Sequence, residues 1–242
     1  MSIFQIQGDI LACKRPRRLS NAEADHCFAQ LAARQGVLSK VQLSQQQAVL
    51  LGPQGILAKF SRQVAAQGRQ APALRNVLQT GDDLNEQQAE NIVDYVLGLH
   101  HRRALTDNPF QGLSRQLLCC IVFDDLSVYS LAERFTAYQA LKQRDSLYFS
   151  KLIATTRHTV ERRLVFAGLL EHFDALLPVE QSIYPLDYRR AQQNHLEREE
   201  KLYGRLELKS TVAELLQTHS TEWLLANIGF ISRGSVEQPA VR

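Results

Sequence analysis

The run from Phe149 to Leu164 constrains this chain more than any other part of it. Two helices joined by a tight turn demand small residues at fixed places. Ser150 stands where the helices would touch, and Ala154 stands at the turn. Thr156 offers a hydroxyl to cap the second helix. Val160 and Leu164, four residues apart, would anchor that helix along one face. The outward positions are then Arg157, His158, Thr159, Glu161, Arg162 and Arg163. Arg157, Thr159, Arg162 and Arg163 can donate to phosphates or base edges at neutral pH, and a charged His158 would join them. The pattern predicts a helix-turn-helix that reads DNA. A short amphipathic helix pair with a solvated basic face produces the same pattern, so the flanking sequence matters.

The flanks agree with the motif. Ser127 to Leu141 precedes it, with Ser130 and Glu133 spaced as a capping box, and Leu164 to Phe173 follows it. Together the three elements resemble the central DNA-binding domain of ParB/KorB-type proteins, which include plasmid partition proteins and their transcription-regulating relatives. That family leads into its motif with a helix carrying a spaced Glu and Tyr. It leaves by a Leu-x-Leu-x-x-Leu-Pro-x-x-Val run, which here reads Leu164, Phe166, Leu169, Leu170 and Phe173, with Leu170 in the proline's place. The resemblance covers about residues 125–195 and implies sequence-specific binding of double-stranded DNA, in transcription regulation or partition.

The same family carries an N-terminal nucleotide-binding region with a Gly-Glu-Arg-Arg-like box followed by a strand. The nearest counterpart is Leu99 to Ala104, with Leu117 to Phe123 as the strand. Arg102 and Arg103 are present, but the glycine and the acidic residue are not at the matching places. The family's next box is missing too, since Asp124-Asp125-Leu126 runs into Ser127. No cofactor is therefore expected, and the arginine pair reads as solvated or DNA-facing.

Docked as helix-turn-helix proteins dock, the second helix, about Arg157 to Phe166, would lie in the major groove. Arg157, His158 and Thr159 would reach base edges, and Arg162 and Arg163 would clamp phosphates. Arg144 and Lys151, near the first helix, would touch the backbone, and Thr156 completes the set. One such motif makes a small interface, so a homodimer on a pseudo-palindromic site is expected.

The net charge of +3 is too mild to announce nucleic acid by itself. Its distribution is more telling, with basic clusters at Lys14 to Arg18, Arg157 to Arg163 and Arg189-Arg190. There is no basic leader followed by an apolar stretch, and no apolar run approaches the ~18 residues that span a bilayer. A cytoplasmic, nucleoid-associated protein that keeps clear of membranes is expected. Cys13, Cys27, Cys119 and Cys120 have no metal-finger spacing, so no metal is expected, and Cys119-Cys120 read as buried thiols. Gly-rich phosphate loops, nucleophile elbows and His-Glu-x-x-His are missing from the sequence. The pairs Asp82-Asp83 and Asp124-Asp125 fit helix ends better than a catalytic centre. No enzyme activity and no catalytic residue is expected.

The expected fold is mainly α, with a small α+β N-terminal part. Ile3 to Ile6 reads as a strand, Ser20 caps a helix to about Gln35, and Ala48–Leu51 and Ile56–Phe60 read as two strands about a Gly-Pro turn. A helix follows from Leu84 to Leu99. Residues 1–124 form the α+β domain, 125–196 the helix-turn-helix domain, and 197–242 the C-terminal helices with a mobile tail. In that last part Val212, Leu215, Leu216, Trp223 and Leu224 make an apolar stripe that could cover a twin or its own domain. Two alternatives stand beside DNA binding. One is a helical protein–protein interaction module that touches no DNA. The other is an enzyme with an unrecognised N-terminal site.

Overall fold

The computed structural model describes residues 21–78, 83–125, 128–154 and 162–231, and within them the protein is mainly helical, with no strand. The helices are α1 (Asn21–Gly36), α2 (Lys40–Leu51), α3 (Ile56–Gln67), α4 (Pro72–Leu78), α5 (Asp83–Leu99) and α6 (Arg115–Val122). They continue with α7 (Leu131–Ala154), α8 (Arg162–Asp174), the single turn α9 (Pro178–Gln181), α10 (Tyr188–Tyr203), α11 (Val212–Thr218) and α12 (Thr221–Ile231).

The two strands expected about the Gly-Pro turn are helices. Leu57, Phe60 and Val64 of α3 are buried at helical spacing, whereas Val49 of α2 is exposed. A run of four apolar residues cannot distinguish a strand from a helix, and the wider 3.6-residue period decides. Ser39 opens α2 with a capping box: its Oγ accepts from the Gln42 N–H while Gln42 Oε1 accepts from the Ser39 N–H at 2.9 Å.

The strand expected over Leu117–Phe123 is likewise helix α6, capped by Ser114, whose Oγ accepts from the Leu117 N–H at 3.2 Å. Every residue from Leu117 to Val122 is buried. A helix enclosed on all sides needs no polar face, so its sequence reads as a continuous apolar run, as a buried strand's does. The α+β N-terminal part is therefore corrected to helix wherever the structure describes it. The Ile3–Ile6 strand, the Ser20 cap, the Lys14–Arg18 cluster and the tail lie outside the described residues.

Two cores are packed along α7. The larger joins α1 to α7 with α9, through Leu31, Phe60, Val64, Ile92, Leu118, Phe135 and Leu177. Buried Asn108 ties the segment before α6 to α7. Its Nδ2 donates to the Thr136 carbonyl at 2.9 Å, and its Oδ1 accepts from the Phe110 N–H at 2.8 Å. The smaller core is Leu152, Leu164, Val212, Leu216 and Leu224, from α7, α8, α11 and α12. At 24 residues α7 is roughly 36 Å long, enough to serve both. The apolar stripe is thus buried within the chain. Val212, Leu216 and Leu224 face Leu152 and Leu164, with Leu215 and Trp223 packed alongside. Of the two surfaces weighed for that stripe, Val212, Leu216 and Leu224 cover their own chain.

Candidate nucleic-acid interface

The candidate interface lies where α7 ends and α8 begins. Thr156, Arg157, His158 and Thr159, with the anchor Val160, lie outside the described residues. What the structure describes is the frame on either side of them. Leu152 on α7 and Leu164 on α8 are both buried in the smaller core. Gly168 of α8 packs tightly against α7 and α11. A Cβ there would meet Leu152 Cδ1 at 2.8 Å, Tyr148 Oη at 3.0 Å and Val212 Cγ1 at 3.1 Å. Tyr148 uses the opening to donate to the Gly168 carbonyl at 2.8 Å. The small residue at the crossing is Gly168, and Ser150, expected there, is exposed.

Helix α8 also runs further than the sequence suggests. The stretch read as an exit run, Leu164 to Phe173, is one helix with Arg162 and continues to Asp174. With no proline at Leu170, nothing stops it.

The four described members of the expected set have three different fates. Arg163 is 8% exposed, and its Nη1 donates to the carbonyls of Tyr203 at 3.0 Å and Gly204 at 2.8 Å. Those carbonyls belong to the open end of α10, where Gly204 turns the chain with a φ of 84° that suits glycine alone. Lys151 Nζ donates to Leu216 O at 2.6 Å and His219 O at 3.2 Å, closing the end of α11. Both cations complete helix C-termini, where positive charge is favoured. Arg162 faces outward. Its side chain is 61% exposed and reaches Glu199 of α10 at 3.5 Å. Arg144, also exposed, donates to Leu113 O at 3.3 Å and sits roughly 15 Å along α7 from its end.

Helix α10 backs this frame. His195 stacks on Phe166, with ring centroids 5.1 Å apart. Beside it, an open cleft of about 640 Å³ lies between α8, α10 and the segment before α11. Glu171, Glu200 and Glu214 line it, and Glu171 accepts the Val212 and Ala213 N–H groups at 3.0 and 3.1 Å. Arg205 and Lys209 share the lining, so the cleft carries both signs of charge, and Glu171 turns the α11 N-terminus into an internal contact. Arg189 is held by Asp174 at 2.7 and 2.9 Å. Of the pair read against the nucleotide box, Arg102 donates to Ala65 O at 2.6 Å, and Arg103 pairs with Asp94.

A half-buried polar junction fixes α8 to the larger core, and no motif in the sequence points to it. Arg115 Nη2 donates to Glu180 Oε1 at 2.7 Å and to Asp145 Oδ2 at 3.4 Å. His172, in the last turn of α8, brings Nε2 to 3.5 Å from Asp145 Oδ1, an ion-pair distance at the outer limit for a hydrogen bond. Its ring lies against Phe149 and Tyr148, with centroids 4.6 and 5.4 Å away. Burial alone would raise the Asp145 pKa, but His172 and Arg115 outweigh it and hold the carboxyl below its ordinary value of 3.8. Burial pushes the neighbouring Cys119 thiol well up, with the Glu180 charge adding to it and Arg115 opposing.

No family model, characterised protein or solved structure matches the chain. Among the described residues no helix is long and apolar enough to cross a membrane, and no group of three or more His, Cys, Asp or Glu residues could hold a metal ion.

Proposed function

We propose that the chain is a sequence-specific double-stranded-DNA-binding protein, a ParB-like transcription regulator or partition-type adaptor that reads through its α7–α8 joint. The observation that carries this reading is the pairing of adjacent arginines. Arg163 is locked onto the α10 terminus, while Arg162 beside it stays 61% exposed, with Glu199 of α10 at 3.5 Å. A reading helix must be held rigidly on one side and present cations on the other. Arg157, His158 and Thr159 read base edges, and Arg162 holds a phosphate. Arg144 reaches the backbone further along α7. Lys151 and Arg163 support the frame instead of touching DNA.

The test is selection of bound sequences from a random duplex pool. A recovered consensus supports the reading, and a pseudo-palindrome adds the homodimer. A pool that emerges unenriched, with the protein folded, refutes it.

A second reading, a protein-interaction module, draws on a different surface. Val37, Val41, Ile183 and Leu186 are all exposed near the place where Lys40 Nζ meets Tyr184 O at 2.6 Å. A partner captured there with no duplex bound would favour it.

A further inference from the structure

Helix α1 packs closely on α6, and the contact brings two thiols together. Buried Ala24, with its small side chain, lets the helices approach until Cys120 Sγ lies 3.8 Å from the Ala24 carbonyl. Cys27 is three residues further along α1, on the same face, near enough for its thiol and that of Cys120 to influence each other. The adjacent Cys119 serves the other side of α6, where its Sγ donates to Glu180 Oε2 at 3.8 Å. The two facing thiols differ in access: Cys27 is half-buried, whereas Cys120 is buried.

We propose that Cys27 and Cys120 form a reversible intramolecular disulfide, with hydrogen peroxide as oxidant. The accessible Cys27 thiolate attacks one peroxide oxygen. The O–O bond breaks, Cys27 becomes a sulfenic acid, and the leaving hydroxide takes a proton to become water. Cys120 sulfur then attacks the sulfenic sulfur. The S–O bond breaks, the S–S bond forms, and the departing hydroxide carries off the Cys120 proton as a second water. Two thiols are oxidised and one peroxide is reduced.

The order follows from the surroundings. Burial and the Cys27 thiol together hold Cys120 in its protonated form, against the nearby Arg34 charge, so Cys27 is the first to react. A disulfide needs its sulfurs about 2.05 Å apart, and thiols facing each other across packed helices can reach that by a rotamer change and a small helix shift.

The experiment treats the full chain with a tenfold excess of hydrogen peroxide, alkylates the remaining thiols and maps the unreduced peptides by mass spectrometry. The expected product is a Cys27–Cys120 linked peptide in most molecules, reversed by dithiothreitol, with a melting temperature raised by several degrees. Cys27→Ser and Cys120→Ser each abolish the link, and Cys119→Ser keeps it. Should Cys120→Ser fail to fold, Cys27→Ser, at the half-buried position, carries the control. Oxidation of Cys27 to a sulfinic acid without a link, or a link from Cys27 to Cys13, Cys119 or a second chain, overturns the proposal.

Discussion

The guanidinium of Arg163 donates to the carbonyl oxygen of Gly204 at 2.8 Å, fastening the first turn of α8 to the end of α10. Its neighbour Arg162 is 61% exposed and reaches Glu199, further back on α10, at 3.5 Å. Adjacent residues of one type therefore have separable roles, and mutation distinguishes them.

Arg163→Ala leaves the carbonyls of Tyr203 and Gly204 without their charged donor. We expect a loss of about 1.5–3 kcal/mol in stability, read by chemical denaturation. Arg162→Ala should leave stability within about 0.5 kcal/mol, because the residue is exposed and its ion pair is weak. In binding the pattern reverses. Arg162→Ala should weaken affinity for all duplexes alike and reduce the salt slope by about one. If Arg163→Ala alone changes the salt slope, the assignment is inverted.

Arg157→Ala and Thr159→Ala should each lose about 1–3 kcal/mol of discrimination between the selected site and a scrambled duplex. Circular dichroism should show unchanged helicity. Undiminished preference in both variants would place the reading surface elsewhere.

Part of this arrangement was legible in the sequence, and the rest depended on contacts distant in the chain. The Ser130–Glu133 box opens α7 as read, with Glu133 Oε2 accepting from the Ser130 N–H at 2.8 Å. The Thr211–Glu214 box likewise opens α11. Caps are local, so they survive reading without a fold. The C-terminal apolar stripe is split between α11 and α12 at His219 and Ser220, where Ser220 Oγ accepts from the Trp223 N–H at 3.2 Å. An ST-type cap inside an apolar pattern was the available signal. Helix α6 misled because it is apolar all round. The Arg115–Asp145–His172–Glu180 junction was invisible because its four members come from four helices. The fate of Arg163 depended on where α10 ends, which periodicity on α8 cannot reveal.

The polar junction carries a prediction of its own. Arg115→Met would leave the half-buried Glu180 and Asp145 without their arginine, at a cost of about 1.5–3 kcal/mol. The expected readout is a lowered denaturation midpoint. A variant as stable as the parent would show that the junction is dispensable.

Acid should weaken the same junction. The Asp145 pKa is lowered in the folded protein, so its contribution is fully present above the ordinary carboxylate value. It is lost as pH falls from there through the lowered folded value. Stability measured from about pH 5 downward should fall, and Asp145→Asn should flatten that fall while costing stability near neutrality. An unchanged acid limb in Asp145→Asn would remove Asp145 from this role.

Removing the residues after Leu208 takes away Val212, Leu216 and Leu224 and exposes Leu152 and Leu164. Each lost core side chain costs about 2–5 kcal/mol, so the α7–α8 joint should lose its protection in amide exchange. A truncated chain that keeps α8 protected would mean the smaller core is not what holds the joint.

Binding to a duplex of the selected sequence, titrated with salt, tests the central claim most directly. With Arg144, Arg157 and Arg162 meeting phosphates or base edges, log affinity should fall linearly with log salt, with a slope of about −2 to −3 per protomer. A scrambled duplex should show a similar slope at lower affinity. Affinity that does not change with salt, or no binding at low salt by a folded protein, would contradict the account.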